Sequence, residues 1–76
     1  MPKLPLISAK EAIKAFEKIG YHVIRQRGSH IRMRHEIDAN KQPITITNHK
    51  SLGKGLLRKL LRDTEITIEH FLELIK

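Results

Sequence analysis

Tyr21-His22-Val23-Ile24-Arg25-Gln26-Arg27-Gly28-Ser29-His30-Ile31-Arg32-Met33-Arg34-His35 is the stretch that decides the fold. Its first six residues are rich in strand formers. Arg27-Gly28-Ser29 supplies a turn, with Gly28 free to adopt a backbone angle that other residues avoid. From His30 to His35 the chain alternates strictly. Ile31 and Met33 face one way, and His30, Arg32 and Arg34 face the other. The stretch predicts two strands around a turn, the second with one apolar face and one basic face.

The flanking segments supply the rest of the fold. Residues 1–7 read as an extended lead-in. Ser8-Ala9-Lys10-Glu11 is a capping box, and Ala9, Ala12, Ile13, Phe16 and Ile19 recur at helical spacing up to Gly20, a helix stop. The spacing predicts an amphipathic helix over 8–19. Lys10, Lys14 and Lys18 form a stripe along it, either a solvated face or a contact strip for phosphates or a partner. After a loop over 36–42 that holds Asp38-Ala39-Asn40, Pro43-Ile44-Thr45-Ile46-Thr47 alternates as a third strand. Pro43 suits its first position, where no ladder donor is needed. A polar loop from Asn48 to Gly53 leads through Lys54-Gly55 into a second helix over Leu56 to Arg62. Thr67 caps a last helix running to about Lys76, with Ile68, Phe71, Leu72 and Ile75 as its apolar side. The order α-β-β-β-α-α predicts an α+β fold, a three-stranded antiparallel sheet with helices on one face. The other face, with His30, Arg32 and Arg34, is left open.

At 76 residues the chain is expected to be a single domain, 1–76. At this size roughly 60% of the unfolded surface is buried, so the core is thin and a large substrate cavity is not expected. With no cysteine, disulfide scaffolds, thiolate metal sites and cysteine nucleophiles are excluded. No apolar run approaches the ~20 residues that span a bilayer, and the N-terminus has no signal-peptide pattern. The expectation is a soluble cytoplasmic protein with no membrane partner. Fifteen Lys/Arg against eight Asp/Glu give a net charge of +7 and a pI near 10.2, the electrostatic footprint of nucleic-acid binding. Between Tyr21 and Arg34 lie four arginines, Arg25, Arg27, Arg32 and Arg34, and no acid. The planar guanidinium suits phosphate because it donates paired hydrogen bonds.

Few chemistries fit these residues. Of His22, His30, His35, His49 and His70, none forms the paired helical spacing of a zinc motif. His30 and His35, five apart on a strand, point to opposite faces. No metal and no cofactor is expected. Serine triads, paired sheet carboxylates and phosphate-cradling glycine loops are lacking too. RNA cleavage does fit, because RNA carries its own nucleophile, the 2′-hydroxyl. The protein then only moves protons and stabilises the phosphorane. An imidazole serves as base or acid near neutral pH, and arginines stabilise the developing charge. His30, with Arg32 and Arg34 on its face and Arg27 at the adjoining turn, is the candidate catalytic residue. The blander reading of His30 is a polar surface residue or a phosphate-contacting hydrogen bonder.

Gly20-Tyr21 followed by Arg25-Gln26-Arg27-Gly28-Ser29-His30 resembles the HicA (YcfA-like) mRNA interferase family, whose hallmark is a glycine-aromatic pair, a short strand and R-Q-x-G-S-H. Asn48-His49-Lys50-Ser51-Leu52-Gly53-Lys54-Gly55-Leu56-Leu57-Arg58-Lys59-Leu60-Leu61-Arg62 is similar to the family's H-x-x-L-x-x-G-T-L-x-x-I-L-R segment. Ile66-Thr67-Ile68-Glu69-His70-Phe71 is similar to its I-S-x-E-E-F. Two positions depart from the pattern: Leu56 replaces a threonine, and His70 replaces a common glutamate. The resemblance implies a double-stranded-RNA-binding-like (dsRBD-like) fold and metal-independent mRNA cleavage in which His30 is essential. It also implies a toxin role, with a HicB-type antitoxin covering the active face. The expected RNA-contacting set is Arg25, Arg27, Gly28, Ser29, Arg32, Arg34 and His49. His49 falls on a family histidine position, where substrate binding and plain loop placement are both open. The alternative to a ribonuclease is a non-catalytic RNA- or nucleic-acid-binding module. A third reading is a domain that chiefly binds an acidic protein.

Overall fold

The computed structural model of the chain describes residues 4–38 and 40–76. The start of the expected lead-in and Ala39 of the expected loop lie outside them. The elements are α1 (Ala9–Glu17), β1 (Tyr21–Arg27), β2 (His30–His35), β3 (Ile44–Thr47), α2 (Lys54–Thr64) and α3 (Ile68–Leu74). The strands form one antiparallel sheet in the order β1-β2-β3. This is the α+β arrangement, α-β-β-β-α-α, that the sequence patterning predicts.

Local chemistry sets the element ends. Ser8 Oγ accepts from the Glu11 amide, and the Glu11 carboxylate accepts from the Ser8 amide, both at 3.1 Å. This reciprocal pair satisfies two amides that the first turn leaves without partners. Thr67 caps α3 by accepting from the His70 amide at 3.0 Å. At α2 the cap is Gly53, which has no side-chain bond to give. Leu56, the departure from the threonine pattern, lies half-buried against the core while the helix still starts at Lys54. Gly28, at φ +58 and followed by Ser29 at an ordinary negative φ, closes β1 onto β2. That is the sign pattern of a two-residue type II′ hairpin turn.

The core lies between the sheet and the helices. Met33, Ile44 and Ile46 meet Ala9, Ala12, Ala15 and Phe16 of α1, Leu57, Leu60 and Leu61 of α2, and Phe71 of α3. The lead-in takes part, since Leu4 and Ile7 are buried and the Ile7 carbonyl accepts from the Leu52 amide at 2.7 Å. Lys18 stays exposed beside Lys14, and its ammonium donates to the Leu74 carbonyl at 2.6 Å, tying α1 to the end of α3. Burial raises the Tyr21 phenol above its usual titration range, and the negative charges of Glu65, Asp38 and Asp63 push the same way.

His35 takes a structural place, on the side of the sheet away from His30. Its Nε2 donates to the Ile19 carbonyl at 2.9 Å, and its Nδ1 accepts from the Asp38 amide at 2.9 Å. The ring stands edge-on to Tyr21, with centroids 5.1 Å apart. Gly20 makes room for it. At φ +106, a Cβ there would fall 2.6 Å from His35 Nε2. Gly20→Ala is therefore expected to cost about 1–3 kcal/mol through backbone strain and displacement of that ring. A urea-unfolding midpoint equal to wild type would contradict this packing.

Candidate nucleic-acid interface

The pairing register assigns each strand residue to a face, because directly opposed residues share one. On β2, Ile31 and Met33 pair with Ile46 and Ile44 of β3, on the core side. His30 opposes Thr47, and Arg32 opposes Thr45, on the open side. Against β1, His30 opposes Arg27, Arg32 opposes Arg25, and Arg34 opposes His22. The open face therefore gathers His22, Arg25, Arg27, His30, Arg32 and Arg34 around two threonines, with no carboxylate among its strand positions.

A bulge makes this possible. The β1–β2 register shifts between Val23 and Arg25. Tyr21 and Val23 oppose His35 and Met33 on the core side, and simple alternation would carry Arg25 and Arg27 to that same side. Gln26 takes the place opposite Ile31 on that side instead, where it stays exposed, as Val23 does. The extra residue, Ile24, lets the strand change sides once. Arg25 and Arg27 thus arrive beside Arg32 and His30.

A shallow depression of about 310 Å³ lies here, lined by Arg25, Arg27, His30, Arg32 and Thr45. His30 and the three arginines are solvent-accessible, with His30, Arg25 and Arg27 exposed and Arg32 half-buried. Arg32 Nη1 donates to Thr45 Oγ1 at 3.4 Å. Among the described residues the ion pairs are Lys41–Glu65, Lys59–Asp63 and Lys76–Glu73, and none engages an arginine of the sheet. Like charges directly opposed across a ladder are destabilising. The Arg25–Arg32 pairing is thus not explained by stability, and it leaves guanidinium donors ready for an anion.

The remaining expected contact residues are placed differently. Gly28 and Ser29 form the hairpin tip next to His30, with the Ser29 carbonyl accepting from the Asn48 amide at 2.6 Å. Arg34 shares the open face but lies at its far end, opposite His22 and outside the depression. His49 is also outside it, in a separate hollow with Ser8, Lys10, Asn48 and Lys50. Thr45 also lines the depression, and neither charge nor imidazole chemistry singles it out. Its signal was the outward position it holds in the 43–47 alternation. Among the described residues no three His, Cys, Asp or Glu side chains gather closely enough to hold a metal ion. Among the described residues no helix is long and apolar enough to cross a membrane.

A family model described as the HicA toxin of bacterial toxin-antitoxin systems matches residues 9–66. That span is more than half of the chain and holds everything from α1 through α2. No curated protein and no solved structure gives a match. The chain belongs to the HicA family of toxins of bacterial toxin–antitoxin systems.

Proposed function

We propose that this chain is a metal-independent endoribonuclease, an mRNA interferase acting in the cytoplasm, with His30 as the catalytic residue. The observation that carries the reading is the setting of His30. It is an exposed imidazole in a depression lined by three arginines that have no carboxylate partner among the described residues. The scissile phosphate of a single-stranded RNA rests among Arg25, Arg27 and Arg32. His30 takes the proton from the adjacent 2′-hydroxyl. The 2′-oxygen bonds to phosphorus, the bond from phosphorus to the 5′-oxygen breaks, and the 5′-oxygen takes a proton from the water that reaches this open face. The products are a 2′,3′-cyclic phosphate and a 5′-hydroxyl. The guanidinium groups stabilise the extra negative charge of the phosphorane, and fixed donors of this kind are worth about 10²–10³ in rate each.

Inhibition has a direct form in this reading. A HicB-type antitoxin that lays an acidic surface over His30 and the arginines blocks the site by bulk and charge, and it associates quickly through electrostatic attraction. The second reading, an RNA-binding module without catalysis, draws on the same basic face. Incubating purified protein with a single-stranded RNA in excess EDTA separates the two. Cleavage is the expected result, and bound but intact RNA would favour the module.

A further inference from the structure

Beyond Thr47 the chain leaves the sheet as Asn48-His49-Lys50 and is pinned on two sides. The Asn48 amide donates to the Ser29 carbonyl at the hairpin tip, and the His49 carbonyl accepts from the Ala9 amide at 2.9 Å. The start of α1 is thereby held against the hairpin end of the sheet. Between the start of α1 and the 48–50 segment is a hollow of about 440 Å³ lined by Ser8, Lys10, Asn48, His49 and Lys50. Lys10, His49 and Lys50 are exposed, and no ion pair involves either lysine among the described residues. The nearby Glu11 carboxylate is taken up by the Ser8 amide and hydroxyl at 3.1 and 3.2 Å. The helix end is thus already capped, and the hollow's positive character comes from side chains.

This hollow shares no lining residue with the His30 depression, but the β2–β3 register keeps their backbones close. His30 is paired with Thr47, and His49 follows two residues later. Strand geometry then keeps the His49 backbone within about 12 Å of the His30 backbone. We propose that the hollow is a second phosphate subsite, in which Lys10, Lys50 and His49 hold a backbone phosphate of the same RNA strand a nucleotide or two from the one at His30. The strand then runs over the hairpin end of the sheet from the open face toward α1. The subsite rests on the reading of the sheet face as an RNA site, and it sets a minimum length for tight binding. Its contacts are to the backbone, so it adds affinity without reading bases.

The test uses 2′-O-methyl RNA, which lacks the free 2′-hydroxyl and is not cut, in lengths from two to eight nucleotides. Binding is followed by fluorescence anisotropy at several salt concentrations. Wild type is expected to gain about tenfold in affinity once the oligomer spans both hollows. The Lys10→Ala/Lys50→Ala double variant is expected to lose that step. Its log–log salt slope on the longest oligomer should fall by about 0.7, the value of one phosphate neutralised on a single strand. Lys14→Ala, one turn along α1 and outside the hollow, should keep the step. A wild type without a step, or a double variant that keeps both step and slope, would overturn the subsite. The readout is independent of cleavage. A step in a protein that cuts no RNA supports the subsite and removes the nuclease, whereas cleavage without a step removes the subsite alone.

Discussion

His30→Ala is expected to slow RNA cleavage by about 10²–10⁴-fold, the usual contribution of a positioned general acid or base. RNA affinity should change little, because it comes from phosphate contacts made by the arginines. His30 is exposed, stands outside the buried core and lies next to a turn that Gly28 sets. The substitution therefore removes no packing, and the folded state should unfold at the wild-type midpoint. The readouts are single-turnover cleavage and a titration with uncleavable RNA. Loss of rate with binding retained locates His30 in the chemistry. Equal loss of both would make it a binding residue, and no loss of rate would remove it from the mechanism.

Phe71→Ala is expected to destabilise the fold by about 3–5 kcal/mol, the range for deleting a fully buried aromatic side chain. Phe71 has no solvent exposure, and its ring sits 5.6 Å from that of Phe16. At roughly 0.05–0.15 kcal/mol per residue, a chain of this size holds about 4–11 kcal/mol in all, so the loss is a large share of the total. The thermal midpoint should drop by more than about 12 °C. α3 lies beyond the part matched by the family model, so the variant also shows whether this last helix closes the core. A midpoint within a few degrees of wild type would make α3 peripheral.

Much of this was legible because the controlling interactions are local. The capping box at Ser8, the Gly28 turn and the 30–35 alternation each act over a few residues, and each appears where its pattern put it. Features that depend on distant partners were not legible. Tyr21, Val23, Arg25 and Arg27 share one parity, so no count along β1 reveals that the last two change sides. Only the β2 register fixes the bulge at Ile24. Lys18 reads as the third member of a stripe, and nothing nearby in sequence points to its partner, the Leu74 carbonyl 56 positions away. Leu4 and Ile7 follow no helical period, and their burial comes from the cleft that other elements leave open. At the candidate site, chemistry narrows the choice of residue enough to single out His30 from the sequence. The alternation of 43–47 turns Thr45 outward, but a strand hydroxyl carries no chemistry that marks it as part of a site. His49 could be matched to a motif, but its separation from the His30 depression follows from the β3–α2 path.

The central claim is that RNA supplies the nucleophile and His30 moves its proton. The most direct test offers wild-type protein, in excess EDTA, an RNA and the same RNA carrying a single 2′-deoxy substitution at the nucleotide before the cut, with product ends read by mass spectrometry. The account predicts cutting of the all-ribose strand to 2′,3′-cyclic phosphate and 5′-hydroxyl ends, with no cut at the deoxy position. Cutting at the deoxy position, or products carrying a 5′-phosphate, would contradict it.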